Sequence, residues 1–265
     1  MDTLTVWWDD GADGATNMAA DECLAAEAER RGGLLVRFYG WTRTTVSLGA
    51  FQRLDDARRI PAIAGVPLVR RPSGGGAIVH GSDLTYAAAV PKTHAFGASP
   101  QAFYDALHGA MAEVVTGYGL ALRPHAAADD TSPTVSAREA ESFFCFDRRS
   151  TGDLVAPAHA AAGGRPPKLM GSAQRRLAAV VLQHGSFLGR TNADVAGPAR
   201  HPSAADLCAV PLPSPYDLSQ AWVGRIAHLL GVDVAVEHGG FMRGREADIA
   251  HRAAHFRDDR WTGRR

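Results

Sequence analysis

Residues 70–90 read RRPSGGGAIVHGSDLTYAAAV. With the residues just before them, they hold three short apolar runs: 66–70 (VPLVR), 77–80 (AIVH) and 84–90 (LTYAAAV). Runs of this length, rich in branched and aromatic side chains and bounded by Gly, Pro, Ser and Asp, predict β-strands. The residues between the first two strands, proline and serine followed by three glycines, cannot continue a strand and mark a loop. Working outward, 34–39 (LLVRFY) and 44–48 (TTVSL) predict two more strands, and 178–188 (AAVVLQHGSFL) predicts one or two. Residues 15–31 predict a helix capped by Thr16 or Asn17 and stopped by Gly32 and Gly33. A second helix is expected over 100–118, with Phe103, Leu107, Met111 and Val114 or Val115 on one face, and two more over 217–231 and 246–262. Polar 123–142 reads as an exposed loop, and APAHAAAGGRPP (156–167) as a hairpin loop or insertion. Strands mixed with helices predict an α+β or α/β fold around one sheet.

Bulk properties narrow the function. The chain has 265 residues, enough for one large domain or two small ones, with 46% hydrophobic and 21% charged residues. That composition argues against a disordered, collagen-like or coiled-coil chain. Twenty-eight basic residues balance 28 acidic ones, which argues against a nucleic-acid binder driven by bulk charge. There is no apolar run long enough for a membrane span, and the first residues, MDTLTVWWDDGADG, lack the pattern of a secretory signal. The cysteines, Cys23, Cys145 and Cys208, form no CxxC pair and suggest neither a zinc site nor a disulfide framework. A cytoplasmic home is expected.

Three segments carry chemistry-bearing side chains. In Arg70-Arg71-Pro72-Ser73-Gly74-Gly75-Gly76, backbone can approach a ligand closely and turn several N–H groups toward an anion, with arginine charge beside it. It matches neither a P-loop nor a dinucleotide fingerprint, and a plain hairpin turn is the competing reading. His80 and Asp83 follow. The second segment is Lys168-Leu169-Met170-Gly171-Ser172-Ala173, followed by Gln183-His184-Gly185. Lysine occurs only at Lys92 and Lys168 in an arginine-rich chain, and Arg cannot replace Lys where a compact ammonium is needed. Lys92 reads as a solvated loop residue. Lys168 precedes small residues that leave space for a substrate. The third segment is Phe143-Phe144-Cys145-Phe146, either inert core or, with an ammonium nearby, a reactive thiolate. Cys23 and Cys208 read as packing residues.

Together these segments resemble the lipoate–protein ligase and octanoyltransferase family, whose catalytic domain is shared with biotin–protein ligases. The likeness rests on NMAADECL (17–24), VRFYGWTRTTVSLGAFQ (36–52), RRPSGGGAIVHGSDLTYAAAVP (70–91), CF (145–146), KLMGSAQRR (168–176) and VLQHGSFL (181–188), in the family's order. CF upstream of KLMGSAQR is most similar to the cysteine-dependent octanoyltransferases. The resemblance implies one α+β catalytic domain over residues 1–265, a mixed sheet flanked by helices. It implies transfer of octanoyl from acyl carrier protein to a lysine of a lipoyl-domain protein, either the glycine-cleavage H protein or a 2-oxoacid dehydrogenase subunit. Cys145 would carry the acyl thioester and Lys168 would stabilise its thiolate. Arg70, Ser73, Gly74, Gly75, Gly76 and His80 would line the acyl-donor pocket, with Gly171, Ser172, Ala173 and His184 opposite. Leu48, Phe51 and Val79 are expected as walls for the acyl chain, and His80 or His184 as acceptor of the amine proton. No cofactor or metal is expected. ATP and magnesium would enter only if the chain were instead a lipoate ligase acting through lipoyl-adenylate. An octanoyl amidotransferase and a non-catalytic acyl-binding adaptor are the other readings.

Overall fold

A computed structural model describes residues 2–126, 142–160 and 165–264. The eleven strands among them are β1 (Thr3–Ala12), β2 (Leu34–Trp41), β3 (Thr45–Leu48), β4 (Leu68–Arg70), β5 (Ile78–His80), β6 (Leu84–Pro91), β7 (Arg123–Pro124), β8 (Leu154–Val155), β9 (Lys168–Arg176), β10 (Val180–Phe187) and β11 (Asp233–Val236). Four long helices accompany them: α1 (Gly14–Arg31), α2 (Pro100–Thr116), α3 (Pro215–Leu230) and α4 (Glu246–Arg257). The large sheet runs β11-β1-β2-β6-β10-β9-β8-β7, and a small one runs β4-β3-β5. β1 pairs in parallel with β2 and β11, whereas β2, β6, β10, β9, β8 and β7 pair antiparallel in turn, so the sheet is mixed.

Alternation along each strand sorts side chains between two cores. On β1, β2 and β6, Leu4, Val6, Val36, Phe38, Tyr86 and Val90 face one side, where Leu107 and Met111 of α2 and Trp222 and Ile226 of α3 cover them. Trp7, Leu35, Ala87 and Ala89 face the other side, against Met18 and Leu24 of α1 and Ile249 and Phe256 of α4. Helices therefore flank the mixed sheet on both faces, as expected.

Several details differ from the sequence reading. β1 and β11 were not anticipated. The cap of α1 is Asp13, whose carboxylate accepts from the Thr16 N–H at 2.7 Å, in place of Thr16 or Asn17. The helix expected over 246–262 stops at Arg257, because Asp258 turns extended and caps a separate turn, Asp259–Thr262. β8 and β9 pair antiparallel, as a hairpin around 156–167 requires, although 161–164 and most of the 123–142 loop lie outside the described residues. Among the described residues no helix is long and apolar enough to cross a membrane.

Candidate active site

The glycine loop lies between β4 and β5, and its far end is laid against the strap that carries Cys145. The Ala77 N–H donates to the Phe143 carbonyl at 2.9 Å and the Cys145 N–H to the Ala77 carbonyl at 2.8 Å. The two chains pack so closely that a Cβ on Gly76 would lie 2.7 Å from the Cys145 nitrogen. Gly75 holds φ of +95°, which a side chain would strain. This loop is thus a moulded wall, not a slack hairpin.

Lys168 opens β9 and brings its ammonium to the same strap. Its Nζ is 3.6 Å from Cys145 Sγ and 3.3 Å from the Cys145 carbonyl oxygen. The Asp153 carboxylate lies 2.7 Å away on the other side, and both charged side chains are almost wholly buried. Burial works against the Lys168 ammonium, but the negative charges of Cys145 and Asp153 outweigh it and raise its pKa. The head-group fits because Gly171 has no side chain: a Cβ there would lie 2.6 Å from Nζ.

Cys145 and Lys168 face a cleft enclosing about 570 Å³ of empty space, part of it open to solvent. Tyr39, Trp41, Gly74, Gly75, Ile78, His80, Gly171, Ser172, Ala173 and His184 also line it. Both histidines are wired to buried carboxylates. His80 bonds Asp83 through Nδ1 and the Ser47 hydroxyl through Nε2, each at 2.8 Å, and stacks on Trp41 at 4.1 Å. Burial pushes Asp83 up, but His80, Ser186 and Thr85 override it and hold its pKa below the usual carboxylate value. His184 bonds Ser73 Oγ through Nε2 and Asp21 through Nδ1 at 3.2 Å. Asp21 is fixed in turn by Arg37 at 2.8 Å, and Arg37 reaches Asp9 at 2.7 Å. Behind Ser172 its hydroxyl meets Tyr86 OH and His108 Nε2, both at 2.7 Å. Burial holds His108 down to about 4, so it is neutral near neutral pH.

Most of the expected residues therefore converge on one cleft, but Arg70 does not. Neighbours on an extended strand point to opposite faces, and its guanidinium points away, donating to the carbonyls of Gly49, Gln52 and Thr262 at 2.8, 2.7 and 2.6 Å. Its neighbour Arg71 takes the cleft side, donating to Ser47 O at 2.7 Å and Gly76 O at 2.6 Å, which braces the loop. Burial lowers the Arg71 pKa to about 10, leaving it cationic. Ser73 and Gly76 support the wall from behind, one through His184 and the other against Cys145. Leu48 and Val79 are core residues under the small sheet and Phe51 is 71% exposed, so none of the three forms the cleft wall proposed for it. Apolar wall is supplied instead by Met18, Tyr39, Trp41 and Ile78. Asp153, Ser47 and Asp21 were not picked out from sequence, and Arg71 was read only as charge beside the glycine loop. The missing signal is tertiary, since each earns its place through a partner on another element.

A family model described as the lipoyl protein ligase A/B catalytic domain matches residues 13–237. The chain belongs to that family. Octanoyltransferase LipM of Geobacillus kaustophilus is 36% identical over 179 residues, 66% of this chain and 61% of the relative. Octanoyltransferase LipM of Bacillus subtilis is 35% identical with the same coverage. The chain thus spans less than two thirds of the length of these relatives. Among solved structures, lipoate-protein ligase A bound with ATP superposes with a TM-score of 0.70 at 18% identity, covering 99% of this chain and 98% of that one. The bipartite lipoate protein ligase of Thermoplasma acidophilum gives 0.69 at 17%, covering 99% and 96%. At such identities the likeness establishes the fold.

Proposed function

We propose that this chain is an octanoyltransferase that moves octanoyl from acyl carrier protein, through a thioester on Cys145, to a lysine of a lipoyl-domain protein. The observation that carries this reading is the Lys168 ammonium 3.6 Å from Cys145 Sγ at a cleft built on the glycine loop. A cation at that distance, in a poorly solvated site, stabilises negative charge on sulfur. The thiolate attacks the donor's thioester carbon, the C–S bond to the carrier breaks, the carrier's sulfur leaves as a thiolate that takes a proton from solvent, and Lys168 stays an ammonium and offsets charge on the carbonyl oxygen in between. A thioester donor is already activated, so the reaction needs no ATP. The acceptor amine then attacks the acyl-enzyme, its proton passes to one of the cleft histidines, and Cys145 departs as thiolate. The match to octanoyltransferases supports this assignment, and the acceptor is the glycine-cleavage H protein or a 2-oxoacid dehydrogenase subunit. The single catalytic unit spans residues 1–265, with a cytoplasmic location.

The test is incubation with octanoylated acyl carrier protein without ATP, followed by intact-mass measurement. Wild type gains about 126 Da as a hydroxylamine-sensitive thioester, and Cys145→Ala gains nothing. Normal transfer by Cys145→Ala would sink the mechanism. Pyrophosphate release with ATP and lipoate would instead identify a ligase.

A further inference from the structure

The proposed acyl-enzyme contains a hazard. The reaction ends with a lysine amine attacking a thioester, yet Lys168 sits 3.6 Å from the sulfur that carries it. Were Lys168 neutral, its Nζ lone pair would attack the Cys145 thioester carbon. The C–S bond would break, the amine proton would pass to sulfur, and Lys168 would keep the acyl group as an amide. The enzyme would have consumed itself. Acylation itself increases the risk, because it removes the negative charge on sulfur, one of the two anions that face this buried ammonium.

The geometry points to Asp153 as the residue that keeps Lys168 an ammonium in the acyl-enzyme, and so keeps the acyl group from migrating onto it. This inference rests on the transferase reading above. The carboxylate is 2.7 Å from Nζ and is held by two hydrogen bonds, with a third fixing the Asp153 backbone. Tyr104 OH donates to Oδ1 at 2.9 Å, the Ser150 N–H donates to Oδ2 at 2.7 Å, and the Asp153 carbonyl accepts the His125 N–H at 2.7 Å. A pinned carboxylate does not follow the sulfur when the substrate arrives. The other groups around Nζ cannot substitute for it. Arg149 and His201 oppose or leave unchanged the positive charge, His108 and Tyr104 from α2 are neutral, and Arg71 across the loop is cationic. Asp147 pairs with His201 at 3.5 Å. The Phe146 ring, 5.5 Å from Nζ, adds only a weak cation–π contact. Asp153 is thus a positioning residue, acting through Lys168.

The experiment loads wild type, Asp153→Asn and Tyr104→Phe with octanoyl-acyl carrier protein at about pH 6 and about pH 9, a range spanning where destabilised buried lysines titrate. Peptide mass spectrometry then separates thioester on Cys145 from hydroxylamine-resistant amide on Lys168. Wild type holds the thioester alone. Asp153→Asn converts to the Lys168 amide, about tenfold faster for each pH unit until the lysine is fully neutral, with matching irreversible loss of transfer. Tyr104→Phe, which frees the carboxylate without removing it, shows the same product more slowly and decides the question if Asp153→Asn does not fold. Folded Asp153→Asn that keeps its thioester at both pH values, with no amide, overturns the role of Asp153. Absence of a thioester in wild type overturns the transferase reading instead, so the two failures are distinct.

Discussion

Replacing Gly76 by alanine tests whether the glycine loop positions Cys145, the nucleophile proposed above. A Cβ there would meet the Cys145 nitrogen at 2.7 Å, Cys145 Cα at 2.9 Å and the Phe144 carbonyl carbon at 2.9 Å, all backbone. Ordinary contact begins at 3.4 Å, so the strap must retreat by about 0.7 Å. The alternative is loss of the two hydrogen bonds that pin it, Ala77 N–H to Phe143 O and Cys145 N–H to Ala77 O. Overpacking of this kind costs about 1–3 kcal/mol. Because Cys145 moves and Lys168, on β9, does not, the separation of Sγ and Nζ changes by a comparable amount. Misplacement of a reacting group by about 1 Å costs about 100-fold in rate, so octanoyl-thioester formation should slow by about 30- to 100-fold. Quenched-flow mass spectrometry gives that rate, and a urea melt gives the stability change. Wild-type acylation by a folded Gly76→Ala protein would refute the idea that the loop sets the position of Cys145.

Lys168→Met leaves the Asp153 carboxylate buried without its ammonium, and stranding one partner of a buried pair costs about 3–5 kcal/mol; chemical unfolding should show a loss near the lower end, because Tyr104 and the Ser150 N–H still bond Asp153. His108 has a folded pKa of about 4 against 6.5 ordinarily. The unfolded chain therefore binds the extra proton first, and His108 contributes stability above pH 6.5 that is lost as pH falls toward 4, about 3 kcal/mol in all. In urea unfolding across that range, His108→Gln should flatten this part of the curve, and an unchanged slope would show that another group carries it. Arg70→Ala should speed proteolytic cleavage in the turn at 258–263, whereas Arg71→Ala should leave that turn protected and slow acylation; the reverse pattern would contradict their assigned faces.

The sheet and the glycine loop were legible because short apolar runs bounded by Gly, Pro and Ser admit few other structures. β1 was not, because TLTVWWDDGA carries two acidic residues and a glycine in its second half and splits its apolar side chains between two cores, which leaves no single stripe. The clustering of Cys145, Lys168, His80 and His184 was anticipated by motif, and the structure brings these four together. Which of two adjacent arginines would face the cleft depended on the exact phase of β4, where a shift of one residue exchanges the faces. Leu48 and Val79 failed as cleft walls for the same reason, since an apolar residue near a motif fits equally well on the face that packs inward. Asp153 stood in an unremarkable TGDLV stretch, and the return of β9 beside β8 is what brings it the Lys168 ammonium.

Arg70 links two remote parts of the chain. Its guanidinium grips the Thr262 carbonyl while its own carbonyl accepts the Trp261 indole N–H at 2.9 Å. The residue that leads into the glycine loop is thereby stitched to the short helical turn Asp259–Thr262. A strain placed on that turn pulls on the same stitch, so a change nearly two hundred residues away in sequence reaches the base of the glycine loop.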